Sequence, residues 1–211
     1  MKYIIMAGGK YKHWETPKQM TVICGEPIIA RTIRLLREAG ITDIAISSNN
    51  PVFEQFGVPV LHHENNFEEI DRYNAVGWWS DCFYPTDDPV CYMYGDVVYS
   101  PEAIKRIVEY ETDDIMLFGS KKPFAECYPK SWREPFAYKV VNQKHLREAI
   151  EETKTLHQIG AIRVHPISWQ LWRVIATSSW KLNDYEVIND YTCDIDSPSD
   201  VPLMEKLISR V

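Results

Sequence analysis

The sequence predicts an α/β protein with a mostly parallel central sheet and helices on both faces. Short apolar runs rich in β-branched residues alternate with helical patterns along the chain, and this alternation is typical of parallel sheets covered by helices. Hydrophobic residues make up 45% and charged residues 25% of the 211 residues, as in folded globular proteins. At roughly 100–200 residues per domain, we expect one domain spanning residues 1–211.

The first part of the chain contains clear signals for single elements. Lys2–Met6 is a short apolar run that predicts a buried strand, and residues 7–17 form a polar, glycine-containing loop after it. Pro27–Ala39 predicts a helix, because a proline opens the segment and Gly40 ends it. Asp43–Ser47 follows at once and predicts a second strand.

The rest of the chain continues the same alternation. Further strands are predicted at Pro59–Leu61, Val90–Tyr94, Ile115–Gly119 and Phe136–Val141, and a strand segment within Asp184–Ile195. Further helices are predicted at Arg72–Phe83, Pro101–Tyr110, Gln143–Thr153, Ile167–Ala176 and Ser197–Leu207. Lys121–Pro135 contains three prolines and is predicted to be irregular.

Charge and cysteine content limit the classes of partner. The chain has 23 Lys and Arg against 30 Asp and Glu, a net charge of −7. This balance opposes a nucleic-acid partner, but a few local cations could still hold a small anion. No apolar run approaches the roughly 18 residues of a membrane span, and the apolar N-terminal stretch is too short for a signal peptide. We therefore expect no membrane partner. Because the five cysteines are far apart and form no CxxC motif, we expect a reduced cytoplasmic protein.

Small and basic residues follow the first predicted strand. Small residues there let backbone N–H groups approach phosphate oxygens, and lysines add positive charge. The candidate nucleotide-binding residues are Ala7, Gly8, Gly9, Lys10, Lys12 and Lys18. The pattern is neither the GxGxxG nor the GxxxxGK[ST] motif. A tight solvent-exposed turn with surface lysines is the alternative interpretation.

Carboxylates follow two later strand segments and could hold a hard cation such as Mg²⁺, which prefers oxygen ligands. Asp96 comes after a buried strand and a glycine, although it could instead cap a turn. Asp194 and Asp196 would point to one face of a strand, where two like charges are costly without a cation. A solvated acidic turn is the alternative. Ser197–Asp200 has the pattern of a capping box, so we expect Asp200 to be structural.

Five segments in order along the chain carry a resemblance to a known family. They are MKYIIMAGG, PKQM, ICGEPIIARTIRLLREAGITDIAISSN, GDVV at Gly95–Val98 and DIDSPSDV at Asp194–Val201. They resemble nucleotidyltransferases that make activated sugars and alcohols, including sugar-1-phosphate nucleotidyltransferases, choline-phosphate and methylerythritol-phosphate cytidylyltransferases, and CMP-sialate synthetases. PKQ is most similar to the methylerythritol-phosphate enzymes and DID to the CMP-sialate synthetases. Both use CTP, so the resemblance favours CTP.

The resemblance implies a Rossmann-like nucleotide-diphospho-sugar transferase fold of the GT-A type. It implies an Mg²⁺-dependent enzyme that couples a nucleoside triphosphate to a phosphorylated small molecule, such as a sugar or polyol phosphate, and releases pyrophosphate. By position, Lys18 would contact the α-phosphate, while Asp96 and Asp196, with Asp194, would bind Mg²⁺. Lys18, Asp96 and Asp196 are thus the expected catalytic residues. Small members of the family often pair, so a homodimer is a further expectation.

The acceptor site is expected in the middle of the chain, where basic residues cluster in an otherwise acidic protein. The candidate acceptor-binding residues are Arg72, Lys121, Lys122, Arg133, Glu134 and Lys139. The alternative is that these lysines are ordinary solvated side chains.

Two other functions remain open from the sequence. A glycosyltransferase of the related fold would place its metal on an Asp-x-Asp motif, and residues 194–196 have that spacing. A catalytically weak nucleotide-binding or regulatory domain is the second alternative. It is suggested by Tyr11 and His13, which stand where the family usually has glycine and arginine.

Overall fold

A computed structural model describes residues 1–8, 14–62, 80, 83–121, 134–162, 168–178 and 185–210. The strands in those ranges are β1 Lys2–Met6, β2 Val22–Ile23, β3 Glu26–Pro27, β4 Ile44–Ser47, β5 Val60–Leu61, β6 Val90–Tyr94, β7 Val97–Val98, β8 Ile115–Gly119, β9 Pro135–Val140, β10 Glu186–Val187 and β11 Cys193–Asp194. The α-helices are α1 Ile28–Glu38, α2 Pro101–Glu109, α3 Gln143–Gln158, α4 Ser168–Ser178 and α5 Asp200–Ile208. Short 3-10 helices cover Lys18–Met20 and Pro51–Phe56.

The main sheet is mostly parallel, as predicted. Within the described ranges it has seven strands in the order β10-β8-β9-β6-β1-β4-β5. Only β9 runs antiparallel to its neighbours, β6 and β8; the other adjacent pairs are parallel. The loops after β1, β6 and β8 therefore leave from one edge of the sheet, which we call the carboxyl edge. Two antiparallel ribbons, β2–β3 and β7–β11, complete the described strands.

Helices cover both faces of the sheet. Successive side chains of β1 point to opposite faces and pack in two separate cores, each of which contains residues of helices. Tyr3 and Ile5 pack in one core with apolar residues of α1 and α2, whereas Ile4 and Met6 pack in the other with residues of α3 and α4. A third cluster, which includes Val98, joins α5 to the two ribbons. The predicted layered α/β class is therefore confirmed.

Several predicted elements have different bounds. Helix α3 continues past Thr153 to Gln158, because no helix-breaking residue occurs before Gly160. The strand segment predicted within Asp184–Ile195 is two separate strands, of which β10 pairs with β8 and β11 with β7. Helix α5 begins at Asp200 rather than Ser197. The Asp200 carboxylate nevertheless accepts from the Ser197 N–H, which is one half of the predicted capping box.

Some predictions fall on residues outside the described ranges. They include nearly all of the helix predicted at Arg72–Phe83 and residues 122–133 of the irregular segment predicted at Lys121–Pro135. Cys24, Cys91 and Cys193 are free thiols in the described part of the chain. Of the helices that the structure describes, none has the length and apolar character needed to cross a bilayer.

Candidate active site

Lys18 lies at the start of a short turn that fixes its backbone. The turn is closed by two hydrogen bonds: the Met20 N–H donates to the Pro17 carbonyl at 2.8 Å, and the Thr21 N–H donates to the Lys18 carbonyl at 3.1 Å. The Lys18 side chain is only 2% exposed. A buried ammonium needs charged or polar partners, because leaving water costs several kcal/mol.

Asp96 is positioned by the close approach of β6 and β1. The Gly95 N–H donates to the Met6 carbonyl at 3.0 Å, and a Cβ atom on Gly95 would lie 2.6 Å from that carbonyl oxygen. Only glycine fits this contact without a shift of the backbone. Asp96 follows directly, between β6 and β7, at the carboxyl edge of the sheet.

Asp196 is brought beside Asp96 by the β7–β11 ribbon. Asp194 pairs with Val97 in that ribbon, and the Ile195 N–H donates to the Asp96 carbonyl at 3.1 Å. The Asp200 carboxylate accepts from the N–H groups of Asp196 at 2.9 Å and Ser197 at 3.0 Å. Asp200 therefore holds the backbone of Asp196, which agrees with its predicted structural role.

The same ribbon is anchored to the start of α2. The Ser100 N–H donates to Thr192 Oγ1 at 3.0 Å, and the Ser100 hydroxyl donates to Asp190. The Ser100 oxygen also accepts from the Ala103 N–H and so caps the helix. These contacts fasten the segment that carries Asp194 and Asp196 to the segment that follows Asp96.

Three residues distant in sequence thus meet at the carboxyl edge. Lys18 Nζ lies 2.9 Å from Asp96 Oδ2 and 3.2 Å from Asp196 Oδ1. The Asp96 side chain is 14% exposed and that of Asp196 is 47% exposed. The ammonium is consequently buried between two carboxylates, one of which opens to solvent. The hypothesis drawn from the sequence requires Lys18, Asp96 and Asp196 to lie close together, and in the structure they do.

A second group of carboxylates shares Asp196. Carboxylate oxygens of Glu134, Asp194 and Asp196 lie within 4.8 Å of one another. Glu134 is 8% exposed and directly precedes β9, where its N–H donates to Ser120 Oγ at 2.9 Å. Three carboxylate oxygens at this separation fit a hard divalent cation. The donor set therefore suits Mg²⁺. Of the three predicted metal ligands the group includes Asp194 and Asp196 but not Asp96, and Glu134 joins them.

Glu134 is predicted from the sequence as an acceptor-binding residue, but its proximity to the two aspartates is not predictable in the same way. Glu134 is 60 residues away from Asp194 along the chain, and no local motif connects them. The available signal was its position just before a predicted strand. The direction of that strand, which decides the edge at which Glu134 lies, could not be read from the sequence.

The candidate nucleotide-binding loop begins at the same edge. The Ala7 N–H donates to the Ser47 carbonyl, and the Ser48 hydroxyl donates to the Ala7 carbonyl, both at 3.0 Å. Gly8 follows Ala7, whereas Gly9, Lys10 and Lys12, with Tyr11 and His13, lie outside the described ranges. Past them, Trp14 Nε1 donates to the Asp196 carbonyl at 3.4 Å. Both described ends of the loop are therefore tied to the carboxyl edge.

The prediction of Lys139 as an acceptor-binding residue is wrong. Strand β9 runs antiparallel to β6, and Lys139 pairs with Cys91 near the start of β6, so it lies toward the opposite edge of the sheet. Its Nζ donates to the carbonyls of Ile107, Val108 and Tyr110 at 3.0, 2.9 and 2.6 Å. Lys139 therefore binds the end of α2 instead of a substrate.

The other acceptor candidates are placed only in part. Lys121 is exposed and follows β8 at the carboxyl edge, on the same side of the sheet as Glu134. Arg72, Lys122 and Arg133 lie outside the described ranges. Of the acceptor-binding candidates in the described ranges, Lys121 and Glu134 thus lie at the carboxyl edge, where Lys18 and the aspartates also lie.

Comparison with known proteins connects this geometry to a family. The model of the MobA-like NTP transferase domain matches residues 3–160. The chain belongs to the MobA-like NTP transferase family. In this MobA-like domain the matched region includes Lys18, Asp96 and Glu134, whereas Asp194 and Asp196 follow it. The resemblance to nucleotidyltransferases is confirmed, and the chain is an enzyme of that class.

Three solved structures with the same fold are distant from this chain in sequence. A putative glucose-1-phosphate thymidylyltransferase from Bacillus anthracis has a TM-score of 0.57 at 18% identity, over 100% of this chain and 96% of that one. The inositol-1-phosphate CTP transferase from T. maritima has a TM-score of 0.58 at 17% identity, with 99% and 95% covered. The CTP:phosphocholine cytidylyltransferase from Streptococcus pneumoniae has a TM-score of 0.53 at 14% identity, with 98% of both chains covered.

These similarities show a shared nucleotidyltransferase fold, which confirms the expected Rossmann-like architecture. A comparison with curated proteins found no match.

Proposed function

We propose that this chain transfers a nucleotidyl group from a nucleoside triphosphate to a phosphorylated small molecule, with Mg²⁺, and releases pyrophosphate. The observation that supports the proposal most is the position of the Lys18 ammonium between Asp96 and Asp196 at the carboxyl edge. Open α/β sheets bind ligands beyond the carboxyl ends of their strands. A cation beside a carboxylate cluster can hold both the phosphates and their metal.

Lys18 would act on the transferred α-phosphate. An oxygen of the acceptor phosphate attacks the α-phosphorus in line, the bond to the β-phosphate oxygen breaks, and pyrophosphate leaves on the opposite side. Negative charge on the α-phosphate oxygens would then be stabilised by the Lys18 ammonium, which lies at the carboxyl edge beside Asp96 and Asp196. An ionised acceptor phosphate needs no general base, so the main tasks of the chain are alignment and charge stabilisation.

Glu134, Asp194 and Asp196 would hold Mg²⁺, and Asp96 lies next to them across the Lys18 ammonium. When bound, the ion would neutralise charge on the phosphates of both substrates. The backbone of Asp196 stays in place through its hydrogen bond to Asp200. The backbone that carries the Asp196 carboxylate is therefore fixed.

Two kinds of observation suggest the substrates: the small and basic residues of the loop after β1, and the names of the similar solved structures. Ala7, Gly8 and Gly9 would line the base and phosphates, with Lys10 and Lys12 on the triphosphate. Two of the similar structures are named as CTP-dependent transferases, which agrees with the preference for CTP. The acceptors in the three names are phosphocholine, inositol 1-phosphate and glucose 1-phosphate, all of them phosphate monoesters.

The acceptor phosphate would lie near Lys121 and Glu134. Both are at the carboxyl edge, and Lys121 is exposed to incoming ligands. Arg72, Lys122 and Arg133 are proposed to assist as additional cations. The match to a family of NTP transferases favours a triphosphate over the nucleotide-sugar substrate of the glycosyltransferase alternative.

The proposal is tested by pyrophosphate release. The purified chain is incubated with each nucleoside triphosphate, Mg²⁺ and one of glucose 1-phosphate, inositol 1-phosphate or phosphocholine. We expect release with at least one pair, strongest with CTP. Lys18→Met should lower kcat by about 10²–10³-fold, as for loss of an oxyanion donor. Lys105→Met, at an exposed position on α2, is the matched control and should retain activity.

An absence of pyrophosphate with every pair, together with triphosphate binding, would support the catalytically weak nucleotide-binding domain instead. Binding is measured by thermal stabilisation, where ligand at 100 times its dissociation constant adds about 2.7 kcal/mol to the free energy of unfolding.

A further inference from the structure

We infer that Lys18 is an internal counter-ion of the metal-binding carboxylates, so that the free enzyme binds a divalent cation weakly until the triphosphate draws the ammonium away. The inference rests on the proposed function, because it concerns the same carboxylates. It adds a second role for Lys18 before the reaction begins: the lysine and the metal exclude each other at Asp196.

The first observation is the position of the ammonium. Lys18 Nζ lies within ion-pair distance of Asp96 and Asp196, at 2.9 and 3.2 Å, and its side chain is 2% exposed. A buried charge without partners is strongly unfavourable, so the two carboxylates stabilise the ammonium where it lies. A positive charge thus lies between the two carboxylates in the structure.

The second observation is that Asp196 belongs to both groups. It binds Lys18 Nζ, and its oxygens also lie within 4.8 Å of those of Glu134 and Asp194. A divalent cation bound by Asp196 would be a few ångströms from the ammonium. Like charges at such a separation repel, and the burial of the Lys18 ammonium limits how far water can screen them. Metal binding must therefore weaken the Lys18–Asp196 ion pair, or the ion pair must weaken metal binding.

The third observation is that the backbones on both sides of the ion pair are fixed, so an exchange has to come from the side chains. The backbone of Lys18 is fixed by the hydrogen-bonded turn from Pro17 to Thr21, and that of Asp196 is fixed by Asp200. The four-carbon stem of a lysine, in contrast, lets its ammonium move between neighbouring oxygens. Triphosphate oxygens arriving at the carboxyl edge would offer Lys18 new acceptors and leave the carboxylates to the metal.

The exchange predicts that nucleotide and metal binding favour each other. By linkage, a nucleotide that draws Lys18 away increases the affinity for metal, and the metal increases the affinity for nucleotide by the same factor. Removing the ammonium by mutation should imitate the first effect without any nucleotide.

The experiment is a titration of the full chain with Mn²⁺ alone, followed by the electron paramagnetic resonance signal of the free ion. Lys18→Met should bind Mn²⁺ at least about tenfold more tightly than the wild type, because the competing positive charge is gone. Lys105→Met removes an exposed lysine and should bind like the wild type. Equal or weaker binding by Lys18→Met would overturn the inference.

A second variant covers the case in which Lys18→Met does not fold. Lys18→Gln keeps a hydrogen-bonding group of similar length between the carboxylates but carries no charge. Its near-ultraviolet circular dichroism is compared with that of the wild type before titration, and tighter Mn²⁺ binding is again expected. Unchanged binding by a folded Lys18→Gln would contradict the inference.

Failure of the inference can be told apart from failure of the proposed function. Tighter Mn²⁺ binding by Lys18→Met with no pyrophosphate release by the wild type would support the counter-ion role and overturn the transferase proposal. Pyrophosphate release that is lost in Lys18→Met, with Mn²⁺ binding equal to the wild type, would support the transferase proposal and overturn the counter-ion role.

Discussion

At the scale of single residues, Lys139 stabilises one end of a helix. The last turn of α2 leaves carbonyl groups without partners inside the helix, and Lys139 Nζ binds those of Ile107, Val108 and Tyr110. A cation is favourable at the C-terminal end of a helix dipole. Burial at the same time lowers the pKa of Lys139, because desolvation disfavours its charged form.

Lys139→Met should therefore destabilise the fold and leave the reaction intact. We expect a loss of about 2–4 kcal/mol in the free energy of unfolding, because three carbonyl groups lose a charged donor. Urea unfolding measures this loss, and the KM for the phosphate acceptor should stay within about twofold of the wild type. A raised acceptor KM with unchanged stability would return Lys139 to the acceptor site.

Lys18 and Lys139 show what the sequence could and could not predict at this scale. Lys18 follows a loop after a strand, and Asp96 directly follows the end of another, so their proximity follows from the parallel sheet. Lys139 lies within a strand, and its position depends on whether that strand is parallel or antiparallel. The sequence of β9 carries no signal for its direction, and the same reversal places Glu134 beside Asp194 and Asp196.

At the scale of secondary-structure elements, the site depends on the close contact of β6 with β1. A Cβ atom on Gly95 would lie 2.6 Å from the Met6 carbonyl oxygen and 3.1 Å from Gln19 Cγ. The first of these atoms belongs to the backbone of a central strand and cannot move away easily. Any larger side chain must therefore push the end of β6, and Asp96 with it, out of position.

Gly95→Ala should reduce activity more than stability. We expect a loss of about 1–3 kcal/mol in the free energy of unfolding from the forced backbone shift, and pyrophosphate release reduced at least about tenfold because Asp96 moves away from Lys18. Gly40→Ala is the matched control. Gly40 has φ +84 and nothing lies within 4 Å of an added Cβ. Its replacement by alanine therefore adds backbone strain without a steric clash, and it does so far from the site. Equal activity in the two variants would contradict this account of Gly95.

Elements with a strong local pattern were predictable, whereas most of the two-residue strands, apart from β5, were not. Strands β1, β4, β6 and β8 are apolar runs between turn residues, and α1 and α2 have one apolar face, so pattern alone locates them. Strands β10 and β11 have two residues each. They exist because β8 and β7 offer them partners, and such pairing depends on tertiary structure.

At the scale of the whole molecule, buried thiol and phenol groups link stability to pH. Burial raises the pKa of Cys91 from 9.0 to about 12, and it raises the pKa values of Tyr3, Tyr99 and Tyr191 above 10.0. The folded state keeps these protons at a pH where the unfolded chain releases them. Their contribution is therefore complete below the unfolded pKa values and is lost as the pH rises.

The free energy of unfolding should fall steadily above about pH 9. The depressed pKa of Lys139 acts in the opposite direction, but four groups with raised pKa values outweigh it. Urea unfolding at pH 7.5, 9 and 10.5 measures the decline, and Cys91→Ala should show a shallower slope between the first two values. Constant stability from pH 7.5 to 10.5 would contradict the buried, protonated state of these groups.

The central claim for the whole molecule is that the carboxyl edge of the sheet joins a nucleotide to an acceptor at the α-phosphorus. The most direct measurement follows a triphosphate labelled at that atom, in the presence of Mg²⁺ and a phosphate-monoester acceptor. We predict that the label passes into a product containing the acceptor, that the pyrophosphate is unlabelled, and that Lys18→Met slows both by about 10²–10³-fold. Label found only in free nucleoside mono- or diphosphate, or transfer that Lys18→Met leaves unchanged, would contradict the claim.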